Sequence, residues 1–418
     1  MKNIFCLTLL AILPLFAIDG NDRQLKDLID VGLKNNHTVN IARLQLKGAT
    51  AQQKGSYSGF LPSMNMSLDK EVSQSELSDF YTSRISIDQT VFDGARSWYA
   101  NRSVENQINL SEINLQTVEE QVIYSVKSTF YSYLRTKELT DVAQLSLELA
   151  VSQLDLVQQQ FDLHAVSETD LLKAKVRKGQ ADAQIIQAEQ AERTALNALN
   201  IAIGESAGNP LVIKRTPIEL RTLPLYEDAK SAILTQNAQL QTVRYNEEGS
   251  KIALKTQMGI FFPTVLISSS YSTSKSDFGD LLGGYTSASP TTRLSVSIPI
   301  FTGLSRVSRY DDLKYNVLAS SVAVSQTKDN LFTELDNVLT QLDTYHRLIP
   351  INEEIILSAE MDFKLAEEKY NLGASDILEL LNAQVSLIQA KSDLVRLKYD
   401  AKVSESKLEV LMGSVTQN

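Results

Sequence analysis

A set of short sequence signals occurs twice in this chain, in the same order and about 209 residues apart. Phe92-Asp93-Gly94 returns as Phe301-Thr302-Gly303, and Ile203-Gly204 returns as Met412-Gly413. A repeated order of signals indicates a repeated structural unit. Each copy is therefore predicted to contain a helix, a strand hairpin and two further helices. Both halves of the chain are predicted to form this same unit.

The two copies set the predicted domain limits. Upstream of the hairpins the spacing falls to 201, because Asn36 corresponds to Asn237 and Pro62 to Pro263, so the second hairpin loop is about eight residues longer. The predicted domains are a first repeat at residues 18–204 with a hairpin at 63–92, a linker at 205–225 around the waist of the body, and a second repeat at 226–418 with a hairpin at 264–301.

Residues 1–17 are typical of a secretory signal peptide, with cleavage expected near Ala17. The apolar run from Ile4 to Leu13 is well short of the roughly 20 residues that cross a bilayer as a helix. No later run is long enough either, so any membrane crossing by this exported chain must use strands. The net charge of −10, with basic residues interspersed among acidic ones, argues against a nucleic-acid partner.

Long stretches almost free of proline and glycine predict long helices. One runs from Asp93 to about Gln160, a length on the order of 100 Å at about 1.5 Å per residue. Apolar residues recur every seven positions, which is typical of nearly parallel packed helices. Each helix carries more than one such series, and this predicts contacts on two sides, as in a curved wall of helices. The clearest series is Tyr310, Val317, Val324, Leu331, Val338 and Tyr345.

Two shorter predicted helices, Gln24–Ser58 and Ser167–Ile203, together equal one long helix in length. This match predicts that they stack end to end against a long one. Pro350 lies inside the second long helix, where it removes a backbone donor. The sequence therefore predicts a kink or a loosened joint near Ile349.

Alternating apolar and polar residues predict four strands, two in each hairpin. A strand of about ten residues, tilted as in a barrel, spans the roughly 25 Å apolar band of an outer membrane. The alternative is a soluble sheet with one face on a core, but no apolar segment is left to cover a second sheet face. The residues predicted to face the membrane are Met64, Met66, Leu68, Ile85, Ile87, Val265, Ile267, Leu294, Val296 and Ile298.

Four strands cannot close a barrel, and an open edge in hydrocarbon leaves unpaired amides that cost several kcal/mol each. The chain is therefore predicted to oligomerise. Two copies would give eight strands, whose interior fills with side chains, whereas three give twelve strands and room for water. Because long helices continue from the strands, the hollow homotrimer is favoured.

Several of these signals resemble the outer membrane efflux proteins, the TolC-like channels, over essentially the whole mature chain. They are Val91-Phe92-Asp93-Gly94 with its copy Ile300-Phe301-Thr302-Gly303, Pro62 with Pro263, and the segment from Tyr370 to Gln384. The resemblance implies a mixed α and β membrane protein, in which a trimeric 12-stranded outer-membrane β-barrel continues as a long periplasmic α-helical barrel. It also implies a periplasmic membrane-fusion adaptor, an inner-membrane pump and outer-membrane lipid as partners.

The resemblance further implies where the periplasmic end closes. In the family the tunnel narrows just past the second helix turn, held by acidic side chains and by a tyrosine at the turn. Tyr370 and Glu379 match those positions, and Asn382 stands where a second acidic residue is expected. The residues expected to contact the adaptor at the two turns are Ala165, Val166, Ser167, Thr169, Gly373, Ala374, Ser375 and Asp376.

The sequence carries no readable catalytic or cofactor motif. Its three histidines, His37, His164 and His346, lie far apart, so no metal site is predicted. Because no catalytic motif stands out, no enzyme activity is predicted either. The favoured function is a passive exit duct for small molecules in a tripartite efflux system. Two alternatives stay open: the outer-membrane channel of a type I protein secretion system, and a periplasmic coiled-coil scaffold that forms no channel.

The membrane hypothesis predicts the effect of one substitution. Ile298→Arg should cost roughly 2 to 4 kcal/mol if this side chain faces lipid near the middle of the membrane. Assembly in the outer membrane, measured as the fraction of heat-resistant trimer extracted from membranes, should fall in this variant. Normal assembly of the arginine variant would count heavily against membrane strands.

Overall fold

The computed structural model describes residues 25–72, 80–213, 218–281 and 289–414. The predicted signal peptide, part of each hairpin loop and part of the linker lie outside the described residues. The described chain forms α1 (Leu25–Asn35), α2 (His37–Ser56), β1 (Ser63–Glu71), β2 (Phe80–Phe92), α3 (Arg96–Asp162), α4 (Glu168–Ala202), α5 (Tyr226–Gln236), α6 (Ala238–Gly259), β3 (Thr264–Lys275), β4 (Thr291–Ser297), α7 (Ser305–Asn371) and α8 (Ile377–Leu411).

The two 67-residue helices, α3 and α7, form the long axis of the body, each about 100 Å in length. Near the sheet, α3 packs between α2 and α6, and α6 packs against α7. At the far end, α3 packs between α4 and α8, and α8 packs against α7. The wall thus has α7 along one edge, while α2 and α4 share the other edge.

Two asparagines join the shorter helices end to end. The helix predicted at Gln24–Ser58 is wrong as a single element, because the extended backbone of Asn36 divides it into α1 and α2. The Asn36 side chain accepts a hydrogen bond from the Thr38 amide at 2.9 Å and donates to the Ala202 carbonyl, the last residue of α4, at 3.3 Å. One amide thereby caps the start of α2 and the end of α4.

The second repeat has the same joint, and its asparagine is more deeply buried. Asn237 is only 5% exposed. Its side chain accepts from the Leu240 amide and donates to the Leu411 carbonyl, both at 2.9 Å. The end of α8 therefore meets the start of α6 across a single side chain, and the two stacked pairs run alongside the long helices.

The second long helix does not end at Pro350, near which the sequence predicts a kink or a loosened joint. α7 continues through this residue from Ser305 to Asn371. Ile349 is buried, and Lys398 pairs with Glu353 at 2.8 Å, so α8 supports α7 where the proline removes one backbone hydrogen bond. Packing against the neighbour holds the helix through a position that would weaken it in isolation.

The four strands form one antiparallel sheet in the order β1-β2-β3-β4, so β2 and β3 join the two repeats. Pairs such as Met66 with Ile85 and Ile267 with Leu294 stand opposite each other, and the register puts nine of the ten predicted apolar residues on one face. The tenth, Ile298, lies beyond β4, because Pro299 has no amide to extend the ladder. β1 and β4 are the two edges.

A buried cluster of charges ties the linker to the helices. Lys127 of α3, only 4% exposed, pairs with Glu409 of α8, which also receives Arg221 from the linker. The backbone amide of Arg221 donates to Glu405 at 2.8 Å. Burial, followed by the charges of Glu405 and Glu409, raises the pKa of Tyr131 to about 12. Removing one member of such a cluster leaves a buried charge without its partner, which is costly.

The asparagine joint makes a stability prediction. Asn237→Ala removes the cap of α6 and leaves the Leu411 carbonyl unpaired, so it should lower the free energy of unfolding by about 1 to 2 kcal/mol. The midpoint of thermal unfolding, followed by helical circular dichroism, should fall. The control is Asn330→Ala, an exposed site on α7 that should leave the midpoint unchanged. Equal shifts in both variants would show that the joint contributes nothing.

Candidate functional site at the helix turns

The two helix turns lie at the end of the body away from the sheet. One joins α3 to α4 at residues 163–167, and the other joins α7 to α8 at residues 372–376. A shared hydrophobic cluster holds the turns together; it contains Val157, Leu171, Ala174, Ala366, Tyr370, Ile377, Leu380 and Ala383. The fold therefore brings both predicted tip segments to one end and packs them against each other.

The second residue of each turn lies in the left-handed backbone region. Gly373 has φ +69°, and His164, at the matching position of the first copy, has φ +60°. In both turns the following amide reaches back to close the helix: Ala165 donates to the Gln160 carbonyl and Ala374 to the Lys369 carbonyl, each at 2.8 Å. This is the Schellman ending, for which glycine is the least strained residue.

The next helices restart differently in the two copies. Ser167 and Asp170 form a capping box: the Ser167 Oγ accepts from the Asp170 amide at 3.2 Å, and the Asp170 carboxylate accepts from the Ser167 hydroxyl at 2.7 Å. The hydrogen bond from Ser167 is the main cause that lowers the pKa of Asp170. In the second turn Asp376 caps α8 through the Leu378 amide, while the Ser375 Oγ is buried without a partner among the described residues.

The three predicted gate residues occupy two different environments. Tyr370 is 6% exposed, and its hydroxyl finds no hydrogen-bond partner among the described residues. Burial, then the charges of Asp170 and Asp376, raise the pKa of Tyr370. Glu379 and Asn382, by contrast, are exposed on α8. The fold thus places the tyrosine between the helix pairs and the two polar residues on their surface.

Lys369 is a site residue that the sequence analysis missed. Its Nζ lies 2.9 Å from the Glu379 Oε1, across the turn and within the same chain. The sequence did contain a signal for this pair. Lys369 lies in the last turn of one helix and Glu379, ten residues later, in the first turn of the next, so the reversal of the chain brings them together. The carboxylate predicted for the gate therefore has a cation of its own.

The residues predicted for adaptor contact form the exposed end of the body. Val166 and Ser375 are half-buried, and the other six are exposed: Ala165, Ser167, Thr169, Gly373, Ala374 and Asp376. The sequence analysis missed two apolar residues among them, Leu163 and Leu372, which end the two long helices and are almost fully exposed.

A groove of about 440 Å³ runs beside the turns between α4 and α8. Its apolar lining residues are Leu172, Val176, Leu378, Leu381 and Val385, with Arg177 and Asn382 among the polar ones. The Arg177 Nε is buried without a partner among the described residues, and burial lowers the pKa of this guanidinium. The groove adds an apolar surface to the otherwise polar tip.

Two further features are absent from the described residues. No described helix is both long and apolar enough to cross a membrane. No group of three or more His, Cys, Asp or Glu side chains within the described ranges is arranged to hold a metal ion. The features that remain are the sheet, the helical wall and the two turns.

The two repeats also match a family model. The model described as outer membrane efflux protein matches residues 28–205 and 229–414. The chain belongs to the outer membrane efflux protein family. The family is one of outer-membrane channels rather than enzymes, and the chain is an outer-membrane protein whose helical body lies in the periplasm.

Relatives and solved structures match most of this chain. The outer membrane efflux protein BepC of Brucella suis is 21% identical over 388 residues, which cover 92% of this chain and 84% of BepC. The outer membrane protein TolC of Escherichia coli is 21% identical over 359 residues, 80% of this chain and 69% of TolC. The crystal structure of the Campylobacter jejuni CmeC outer membrane channel is similar with a TM-score of 0.81 at 18% identity, covering 94% of this chain and 86% of CmeC. The predicted fold class, with four strands per chain and a long helical body, is confirmed.

The capping box predicts a local effect at the first turn. Ser167→Ala removes both side-chain hydrogen bonds with Asp170 and should cost about 1 kcal/mol. Amide hydrogen exchange, read by mass spectrometry of peptic peptides, should become faster around residues 163–170. The matched control is Ser375→Ala at the second turn, where the hydroxyl has no partner and exchange should not change. Similar acceleration at both turns would contradict a role for this cap.

Proposed function

We propose that this chain is the exit duct of a tripartite efflux system, a homotrimer that passes small molecules from a periplasmic adaptor and an inner-membrane pump to the outside. Transport through the duct is passive, and the pump supplies the energy. The observation that carries this proposal is the four-stranded sheet, which has an apolar face and two free edges and continues into helices about 100 Å long.

The free edges support assembly of three copies. Every residue of β1 is exposed, and nothing within the described chain pairs with its outer backbone groups. Pairing of β1 with β4 of the next copy would close the sheet and satisfy these groups, and three copies give twelve strands with an open interior. The nine apolar residues on one sheet face would then meet lipid.

The edges of the helical wall support the same closure. α7 exposes an apolar series along its length, including Tyr315, Leu318, Val322, Ile355 and Met361. The other edge exposes Leu172, Val176 and Ile186 on α4. Packing of α7 against α2 and α4 of the next copy would bury both series and complete a ring of helices.

The gate follows from the turn at Tyr370. This buried hydroxyl has no partner within the described chain, so its partner in a closed duct would come from a neighbouring copy or from water. Three Glu379 carboxylates would stand around the axis with Asn382 one turn further along α8. Because Lys369 accompanies each Glu379, this ring would select cations less strongly than three unpaired carboxylates.

The exposed turns would receive the adaptor. Their polar residues and the two apolar side chains Leu163 and Leu372 offer a mixed surface at the end of each helix pair.

The cargo is set by the pump, so the channel of a type I protein secretion system is the second candidate function for the same duct. A scaffold without a channel would leave the apolar sheet face without a function. We also propose that the chain has no enzyme activity.

Single-channel conductance in a planar bilayer tests the duct. The wild-type protein should give small currents, because the turns close the periplasmic end. Currents should rise in the Tyr370→Phe, Glu379→Ala variant, because it removes the buried hydroxyl and the carboxylate paired with Lys369.

The matched control carries the same changes elsewhere, Tyr226→Phe on α5 with Glu354→Ala on α7, at two exposed positions away from the turns. Its currents should equal those of the wild type. Currents that rise equally in both variants would remove the gate from the turns. Protein that neither inserts nor conducts in any form would favour the scaffold.

A further inference from the structure

The first strand-to-helix joint contains an aromatic notch. The notch has a volume of about 560 Å³ and is lined by Tyr57, Phe60, Leu61, Trp98 and Asn101. Its aromatic and leucine side chains are each about half exposed, which is unusual for residues of this size. The notch lies beside the sheet, because β1 begins at Ser63.

A cation stands at the rim of the notch. The Arg102 guanidinium lies 5.7 Å from the centre of the Trp98 ring, within range of a cation–π interaction. Arg102 also donates to Glu105 at 3.1 Å but stays 52% exposed. A guanidinium has five N–H donors. Donors therefore remain for an anion that enters above the indole.

The second joint differs at the two residues that matter. With the repeat spacing of 209, Trp98 corresponds to Val307 and Arg102 to Asp311. That joint keeps an aromatic pair, Phe261 with Tyr310, and has the cations Arg306 and Arg309, but it has no indole. The combination of an indole and a guanidinium over its ring therefore belongs to the first joint.

The notch lies on the opposite side of α3 from a polar cleft. The cleft spans α2, α3 and α6, and its lining includes Gln45, Gln52, Gln107, Asn114 and Asn246. Trp98 and Gln107 are nine residues apart, roughly two and a half helical turns, so their side chains leave α3 in opposite directions. The polar cleft and the aromatic notch therefore open on opposite faces of the wall. An aromatic surface suits the membrane interface better than a polar cleft does, so the notch fits the face that meets lipid.

We propose that this notch, formed by Tyr57, Phe60, Leu61 and Trp98 with Arg102 at its rim, binds the headgroup of an anionic glycerophospholipid in the periplasmic leaflet of the outer membrane. Arg102 binds the phosphate, and the aromatic side chains pack against the glycerol and the first part of the acyl chains. The inference rests on the proposed function, since it requires the sheet to lie in the membrane.

Trp98 is the only tryptophan of the chain, so its fluorescence reports on the notch directly. The protein is reconstituted in phosphatidylcholine vesicles in which a small fraction of the lipid is brominated near the headgroup end of its acyl chains. Bromine quenches tryptophan on contact. Brominated phosphatidylglycerol should quench Trp98 more than brominated phosphatidylcholine, with roughly fivefold enrichment around the indole, as expected for one cation at an anionic lipid surface.

Arg102→Gln should abolish this preference, and Arg102→Lys should keep part of it. The matched control is Arg309→Gln, because Arg309 also lies near the start of a long helix in an i,i+3 pair of 3.1 Å, but has no indole beside it. The control should retain the full preference. Equal quenching by the two lipids in the wild type, or a preference that survives Arg102→Gln, would overturn the headgroup site.

A tryptophan at a second position distinguishes failure of the headgroup site from failure of the sheet to lie in the membrane. In a Trp98→Phe, Leu294→Trp protein the tryptophan lies on the apolar face of β4 and should be quenched by both brominated lipids without preference. Quenching there but not at Trp98 would mean that protein covers the notch, which overturns the headgroup site alone. Absence of quenching at both positions would overturn the membrane sheet and the headgroup site together.

Discussion

Backbone hydrogen bonding in a membrane is the constraint on which this molecule depends. A lipid bilayer offers no partner for a free amide or carbonyl, so a sheet within it must have no open edge. This chain supplies four strands in the order β1-β2-β3-β4, and the outer edges of β1 and β4 have no partner within the described residues. A single copy in the membrane is incomplete for that reason, and the three-copy closure proposed above follows from the same requirement.

The helical body, which lies in water, also has edges that need a partner. α3 is surrounded within the chain at both ends, whereas α7 has neighbours on one side and an apolar face on the other. Two stacked helices can take the place of one long helix without penalty only if the backbone groups at their meeting ends keep hydrogen-bond partners. Asn36 and Asn237 solve this with one side-chain amide each, which serves the end of one helix and the start of the next.

Much of the architecture could be predicted from the sequence, because its signals are local and repeated. Alternation along Met64, Met66 and Leu68 specifies a strand face, and sevenfold spacing specifies parallel helix packing. One failure was also local. Asn36 reads as an ordinary residue within a helical stretch, yet its extended backbone divides that stretch into two helices. The hydrogen bond from Asn36 to the end of α4 is a tertiary contact that the local sequence does not show.

The tip shows the same division between local and tertiary information. The turns at His164 and Gly373 and the capping box at Ser167 follow from residues close in sequence. The burial of the Tyr370 hydroxyl and the charged cluster around Lys127 do not, because each depends on groups that only the packed helices bring together.

The sequence by itself determined the repeat, the strand faces and the lengths of the two long helices, since hydrophobic periodicity acts through neighbouring residues. The tertiary structure alone decided which helices are edges, where Lys127 meets Glu409 and how deeply the Tyr370 hydroxyl is buried. These features depend on distances between segments that the chain order does not encode.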